Sequence, residues 1–186
     1  MRIIGGKWRG RRLASVGTGD AAAHLRPTTD RVRESIFNLI VNGGHGDVLT
    51  DARVLDVFAG TGALGLEAVS RGAASVTFIE QGRTALALLR ENIALLDAPA
   101  RIHARDARKP APGTPHELIF LDPPYAQGLG ERAIAALTAT GWIAPDALIV
   151  WEDGRPPLLD GLTQVDQRRY GDTLVTLARA PGAIFF

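Results

Sequence analysis

Apolar and polar residues follow two kinds of pattern along this chain, one typical of strands and the other typical of helices. Short apolar runs predict strands over residues 53–60, 75–80, 100–106, 116–125 and 146–153. Apolar residues at helical spacing predict helices between them, over residues 62–72, 83–96 and 130–141. Two further segments, 162–171 and 172–180, meet at a Gly-Asp turn and predict a terminal β-hairpin.

This alternation of strands and helices predicts the fold class. We expect a mostly parallel, doubly wound α/β sheet of Rossmann-like type, to which the terminal hairpin adds an antiparallel edge. Ligands of such sheets bind beyond the carboxyl ends of the strands, where the strand order reverses. The candidate functional residues are therefore those that end the strands, and nearly every parallel strand here ends in an acidic residue.

The first fifty residues carry a different pattern and predict a separate extension. Residues 2–13 predict a short β-hairpin that turns at Gly5 and Gly6. Within residues 26–44, apolar residues at helical spacing predict an amphipathic helix, with Thr or Asp as its N-cap and Gly43 as its stop. We accordingly divide the chain into an extension, residues 1–50, and a main domain, residues 51–186.

Composition narrows the class of protein. The 186 residues suit one domain with a small appendage, and 46% apolar residues allow a real core. The chain has no cysteine, so disulfides and thiolate chemistry are excluded, and we expect no metal site. No apolar run reaches the roughly 20 residues of a membrane helix. We therefore expect a soluble cytoplasmic protein without a membrane partner.

The glycines of "VLDVFAGTGALG" predict a cofactor-binding loop between the first strand and its helix, which we call the glycine loop. Gly60, Gly62 and Gly65 have G-x-G-x-x-G spacing between a strand and a helix, and Glu80 ends the next strand. Glycines let the backbone approach a nucleoside cofactor, and a carboxylate after the second strand can bind ribose hydroxyls. A purely structural turn is the alternative interpretation.

Two further carboxylates bear on which cofactor binds. Asp56, four positions before Gly60, would repel a pyrophosphate but suits the amino acid end and sulfonium of S-adenosylmethionine. It could instead be a structural group that accepts hydrogen bonds from loop N–H groups. Asp106 could accept a hydrogen bond from an adenine amino group or lie in a solvated loop.

The segment "DPPY", residues 122–125, ends the fourth strand and predicts an amino-group acceptor site. Methylation of a nucleobase amine requires acceptors that hold its N–H groups and aim its lone pair at the methyl carbon. Asp122 offers a side-chain acceptor, the prolines leave backbone carbonyls free to face the site, and Tyr125 can stack on the base. A Pro-Pro turn after a buried strand is the alternative.

Together these motifs resemble a known family. The glycine loop, Glu80 and "LDPPY" resemble class I S-adenosylmethionine-dependent methyltransferases of nucleobase amines. More specifically, "RIIGGKWRGRRL" and "LRPTTDRVRESIFN" resemble the N-terminal signature of the RsmD family, bacterial methyltransferases of small-subunit ribosomal RNA. The resemblance implies methyl transfer to the exocyclic N2 of one guanine in 16S rRNA, with the small subunit or its assembly intermediate as substrate.

The resemblance also implies roles for individual residues. The cofactor would be bound by Asp56, Phe58, Ala59, Gly60, Thr61, Gly62, Glu80, Asp106 and Ala107. The target guanine would be held by Asp122, Pro123, Pro124 and Tyr125.

The charge distribution fits an RNA partner. Residues 1–34 contain eight Lys or Arg against three acids, whereas the remaining residues contain 13 against 17. The expected RNA contacts are Lys7, Trp8, Arg9, Arg11, Arg12, Arg26 and Arg31. Trp8 could stack on RNA or pack against the domain, and Arg33 could reach phosphate or remain solvated.

Other functions remain open at this point. The DPPY motif also occurs in enzymes that methylate adenine or cytosine in DNA, although the short chain leaves little room for a DNA-reading domain. The glycine spacing allows a nicotinamide-dependent oxidoreductase, and the basic arm allows a non-catalytic RNA-binding module. We favour a monomeric rRNA methyltransferase.

Overall fold

A computed structural model of the protein describes residues 1–15, 28–124 and 128–183. The strands of the described part are β1 (Arg53–Val57), β2 (Ser75–Glu80), β3 (Ala100–Ala104), β4 (His116–Leu121), β5 (Ile143–Asp153), β6 (Thr163–Tyr170) and β7 (Thr173–Arg179). Its α-helices are α1 (Asp30–Asn42), α2 (Ala63–Ser70), α3 (Arg83–Leu96) and α4 (Leu129–Ala139). The predicted order of strands and helices is confirmed, with element ends that differ by a few residues.

One sheet contains all these strands, in the order β3-β2-β1-β4-β5-β7-β6. The five strands from β3 to β5 are parallel, and β7 pairs antiparallel with both β5 and β6. The chain moves from β1 to β2 and β3 on one side, then crosses to β4 and β5 on the other. The strand order therefore reverses between β1 and β4, which is where such sheets bind their ligands.

The helix of the N-terminal extension follows its sequence signals closely. Thr29 is the N-cap of α1, and its side chain accepts a hydrogen bond from the Val32 N–H at 3.3 Å. Gly43 is the C-cap, and Ile36, Phe37 and Ile40 are completely buried. No helix within residues 1–15, 28–124 and 128–183 is long and apolar enough to cross a membrane.

The N-terminal hairpin is smaller than predicted. Arg2 and Arg12 form a single antiparallel bridge, and the chain between them contains a 3-10 helix, Gly6–Trp8, instead of a tight turn at Gly5 and Gly6. We call residues 1–14 the N-terminal loop. Ile3 and Leu13 are buried in the same core as α1 and the sheet, because the loop has too few apolar residues for a core of its own. The division at residue 50 stays a prediction.

Candidate active site

Two loops meet where the strand order reverses, and they carry the glycine and Asp-Pro-Pro motifs. Val57, the last residue of β1, pairs with Leu121, the last residue of β4. Directly beyond this pair, the Asp122 N–H donates to the Val57 carbonyl at 3.4 Å. Parallel pairing therefore brings together two motifs that lie some sixty residues apart in sequence.

The glycine loop has an unusual backbone. Phe58, Gly60 and Gly62 all have positive φ angles, of 59°, 57° and 80°. This conformation is natural for glycine, but for a bulky residue such as Phe58 it costs of order 1–3 kcal/mol. The Phe58 and Ala59 N–H groups both donate to the Ile79 carbonyl of β2, at 3.0 and 3.3 Å. Strained residues of this kind cluster at ligand sites when the surrounding structure holds them.

Close packing explains the second and third glycines. A Cβ atom on Gly62 would lie 2.4 Å from Leu89 Cδ1 of α3. A Cβ atom on Gly65 would lie 2.6 Å from Val76 Cγ2 and 2.7 Å from Phe78 Cε1, both on β2. Any side chain larger than that of glycine would therefore clash at positions 62 and 65. Because both residues are glycine, α2 can begin in direct contact with the sheet.

Glu80 holds the glycine loop from the neighbouring strand. Its Oε2 accepts from the Gly60 N–H at 2.8 Å, while Oε1 accepts from the N–H groups of Gln81 and Gly82 at 2.8 and 2.6 Å. Glu80 is half-buried, so it lies at the boundary between the protein and the space above the loop. This position suits the predicted ribose contact, which stays a prediction.

Asp56 is engaged inside the protein. It is 2% exposed, and its Oδ2 accepts from the Gly65 N–H at 2.9 Å. Burial raises the pKa of Asp56 well above its usual value, and the charges of Asp122 and Glu80 add to this effect. These contacts favour the structural role that the sequence left open. Its direct contact with a cofactor stays a prediction.

Asp106 and Ala107 follow β3 at the same end of the sheet. Both Asp106 oxygens bind the Arg108 guanidinium, with N···O distances of 2.6 to 3.0 Å, and this hydrogen bonding holds the pKa of Asp106 below its usual value. Ala107 is buried in the core. An adenine contact at Asp106 would thus compete with Arg108 or share the carboxylate with it.

We call residues 122–124, which carry the Asp-Pro-Pro motif, the acceptor edge. It begins at Asp122, which is half-buried and directly follows β4. Burial and, to a smaller extent, the nearby charge of Asp153 together raise the pKa of Asp122 to about 7. Pro123 is buried and Pro124 is exposed, so the second proline reaches the surface. Tyr125 lies outside the described residues, and its predicted stacking role is not tested. A carboxyl that titrates near neutrality can serve as a proton acceptor.

A second buried carboxyl, Glu152, lies at the end of β5 next to this edge. It is 3% exposed, and both of its oxygens accept from Thr28 Oγ1, at 3.4 and 3.2 Å. Burial and the charge of Asp122 raise its pKa well above the usual value. Glu152 is one of the acidic residues at the strand ends predicted from the sequence, but no sequence pattern indicated that Thr28 would contact it.

The residues predicted to contact RNA differ in their exposure to solvent. Lys7, Arg9, Arg11, Arg12 and Arg31 are exposed. Trp8 is half-buried against the core, with Lys7 Nζ 4.3 Å from its ring centroid, so packing accounts for at least part of its surface. The Arg11 guanidinium reaches the Leu95 carbonyl at 3.2 Å. Arg26 lies outside the described residues.

Both roles predicted for Arg33 from the sequence, a phosphate contact and a solvated position, are wrong, because Arg33 is completely buried. Its Nη2 donates to the Arg2 carbonyl and to Asp30 Oδ1, the latter at 2.9 Å. Its Nε lies 3.8 Å from Glu67 Oε2 on α2. Arg33 thus joins the N-terminal loop to two helices and is not available to phosphate.

Two polar residues of α2 that the sequence analysis missed fix the N-terminal loop. Glu67 is completely buried and accepts from the Ile4 and Gly5 N–H groups at 2.8 and 2.7 Å. Ser70 Oγ accepts from the Trp8 N–H at 3.0 Å and donates to the Gly5 carbonyl at 2.6 Å. Their only signal in the sequence was the presence of polar residues within an otherwise apolar helix.

Comparisons with known proteins agree with this arrangement. Residues 1–179 match the model of the family described as conserved hypothetical protein 95. The chain is 48% identical over 155 residues to ribosomal RNA small subunit methyltransferase D of Escherichia coli K12, covering 82% of this chain and 74% of that protein. It is 38% identical to the protein of the same name from Haemophilus influenzae, covering 82% and 78%.

A solved structure is also similar over nearly its full length. This is "Putative methyltransferase yhhF from Escherichia coli", with a TM-score of 0.83 and 41% identity, and the match covers 98% of this chain and 99% of that one. The Rossmann-like fold predicted from the sequence is therefore confirmed.

Proposed function

The chain belongs to the conserved hypothetical protein 95 family, the RsmD family of small-subunit rRNA methyltransferases, and from this premise we propose its donor and its target. It transfers a methyl group from S-adenosylmethionine to the exocyclic N2 amino group of one guanine in 16S rRNA. The observation that carries the proposal is the contact between the glycine loop and the Asp-Pro-Pro edge, made through the Asp122 N–H and the Val57 carbonyl.

The glycine loop fits S-adenosylmethionine. Its positive-φ backbone, and the lack of space for a Cβ at Gly62, leave a surface of backbone groups with the half-buried Glu80 beside it. Glu80 would bind the ribose, and residues 58–62 would line the cofactor, as the family resemblance implies. When bound, the cofactor supplies a methyl group on a sulfonium, so the reaction needs only a correctly held nucleophile.

The acceptor edge would orient the nucleophile, which is the exocyclic amine of the target guanine. The guanine amine is a weak nucleophile because its lone pair is delocalised into the ring. The ionised form of Asp122, whose pKa is about 7, accepts an N–H of the amine and can take the proton that methylation releases. The alignment of amine and methyl group contributes more than proton removal, because well-oriented reactants gain roughly 7–11 kcal/mol.

The substrate is 16S rRNA within the small subunit or an assembly intermediate, and the enzyme acts in the cytoplasm as a monomer. The exposed cations of the N-terminal loop support an RNA partner, because Lys and Arg side chains held in water can neutralise phosphates and release their counterions. Arg31 lies on the exposed face of α1 and extends this basic surface.

Product identity tests this proposal directly. The protein is incubated with labelled S-adenosylmethionine and, separately, with unmodified small subunits, naked 16S rRNA and DNA, and the nucleosides are analysed by mass spectrometry. We expect N2-methylguanosine from an RNA substrate. Methylated adenine or cytosine from DNA would contradict the proposal, and so would the absence of any labelled nucleoside with a protein that binds RNA.

A further inference from the structure

Asn92 of α3 is a buried amide that joins the N-terminal loop to the glycine loop. It is completely buried. Its Oδ1 accepts from the Ala14 N–H at 2.7 Å, and its Nδ2 donates to the Ala14 carbonyl at 3.1 Å. The same Nδ2 also donates to the Thr61 carbonyl at 3.0 Å. One side chain therefore connects backbone groups of both loops.

The chemistry of this position is specific to an amide. Asparagine offers two donor hydrogens and a carbonyl acceptor, and the three bonds to Ala14 and Thr61 use both kinds of group. An aspartate would lose both donors, and an apolar residue would leave three backbone groups without these bonds. Because backbone groups shielded from water are costly to leave unpaired, we expect a shift of Ala14 to move Asn92 and, through it, Thr61.

Neighbouring contacts reinforce this connection. Leu89, one turn before Asn92 on α3, packs under the glycine loop so closely that a Cβ on Gly62 would be 2.4 Å from it. At the other end of the N-terminal loop, the Met1 sulfur lies 3.9 Å from Thr61 Oγ1. The Leu13 N–H donates to the Met1 carbonyl at 3.1 Å and holds the two ends of the loop together. Met1 thus contacts the glycine loop directly, and Ala14 is connected to it through Asn92.

We infer that Asn92 is a positioning residue that couples the two binding steps of the reaction. Cofactor binding at the glycine loop orders the N-terminal loop for RNA, and RNA binding at the N-terminal loop orders the glycine loop for cofactor. This inference rests on the proposed function, because it takes S-adenosylmethionine and 16S rRNA as the ligands of the two loops. By linkage, each ligand must strengthen the binding of the other by the same factor.

The first test measures that factor with S-adenosylhomocysteine, which binds without turnover. Its dissociation constant is determined by calorimetry with and without 16S rRNA, for the wild-type protein and for Asn92→Leu. We expect RNA to tighten binding to the wild-type protein by at least about fivefold, the lower end of typical coupling between sites. In Asn92→Leu the ratio should fall close to one.

The matched control is Asn38→Leu, which replaces an exposed amide on α1 and should keep the wild-type ratio. If the role of Asn92 were purely structural, Asn92→Leu would lower the stability of the protein and weaken the binding of both ligands, but the ratio of dissociation constants without and with RNA would not change. An unchanged ratio in Asn92→Leu therefore overturns the inference.

A second measurement uses only the wild-type protein and does not depend on how the variant folds. S-adenosylhomocysteine alone should slow hydrogen exchange at the Leu13 and Ala14 amides, and 16S rRNA alone should slow exchange at the Gly62 amide. If the protein methylates RNA but shows neither effect, the coupling is wrong and the function stands. If the wild-type protein binds no cofactor, the proposed function fails and the coupling fails with it.

Discussion

The acceptor edge and the N-terminal loop differ in whether their charged side chains are buried or exposed to water. At the acceptor edge Asp122 is half-buried, and beside it the carboxyls of Asp56 on β1 and Glu152 on β5 are buried; burial raises the pKa of all three. In the N-terminal loop the cations are exposed, and the buried charges, Glu67 and Arg33, come from helices that hold its backbone.

This difference fits the functions that we propose for the two regions. A carboxyl removed from water titrates near neutrality and can exchange a proton with a substrate. Cations that stay in water keep their charge and can neutralise phosphates at little cost. Four experiments test whether the two regions differ in this way.

The largest effect is expected at the acceptor edge. Asp122→Ala removes the side-chain acceptor and should lower kcat by about 10²–10⁴-fold, while the dissociation constant of S-adenosylmethionine changes little. Single-turnover methylation and calorimetry measure the two quantities. Asp160→Ala, on an exposed loop residue, is the control. Wild-type turnover by Asp122→Ala would refute its role as acceptor.

The second experiment removes the buried anchor of the N-terminal loop. Glu67→Ala leaves the Arg33 and Arg71 guanidiniums and the Ile4 and Gly5 N–H groups without their carboxylate. Breaking a buried ion pair costs about 3–5 kcal/mol, so the free energy of unfolding should fall by that amount in urea titrations.

The control for this anchor is Glu34→Ala, an exposed glutamate of α1, whose unfolding free energy should change by less than about 0.5 kcal/mol. Equal stability of the two variants would mean that the N-terminal loop is not anchored through Glu67.

The third experiment addresses the exposed cations. Arg9→Ala should weaken RNA binding and reduce the slope of log K against log salt by about one, because one phosphate contact is lost. The control is Arg101→Ala, an exposed arginine on edge strand β3. Filter binding over a range of salt concentrations measures both slopes. Identical slopes for the two variants would remove Arg9 from the RNA surface.

The smallest effect is a shift in pH dependence. In the mechanism that we propose, Asp122 acts as the acceptor only in its ionised form, so activity should fall as the pH drops through about 7. The charge of Asp153 raises the pKa of Asp122, and Asp153→Asn removes that charge while it keeps an oxygen for the Gly154 N–H. The acid limb of kcat/KM should therefore move to lower pH.

Asp160→Asn is the control for that shift and should leave the limb in place. A limb that does not move in Asp153→Asn, or that moves to higher pH, would mean that Asp122 is not the titrating group.

The sequence predicted the parallel sheet and the meeting of its two motifs because both follow from local patterns. Strand and helix periodicities are local, and parallel order brings the strand ends to one edge. The α1 caps at Thr29 and Gly43 were equally local and were confirmed in the structure.

What the sequence did not predict depends on contacts between distant segments. Arg33 lies in a run of charges typical of a solvated helix face, and only the packing of the N-terminal loop against α2 buries it. Glu67 and Asn92 likewise act on backbone groups some 60 to 80 residues away, as in the Gly5 and Ala14 contacts with separations of 62 and 78. No periodicity encodes such pairs.

Those separations also determine when the N-terminal loop can fold during synthesis. Its partners on α3, Asn92 and Leu95, are translated about 80 residues after it, with separations of 78 and 84. At about 5–20 residues per second, ribosomes need roughly 4–16 s to make that stretch. For this time the most basic segment of the nascent chain lacks the part of its docking site that α3 provides, and its final structure forms only after β1, β2 and α3 have been synthesised.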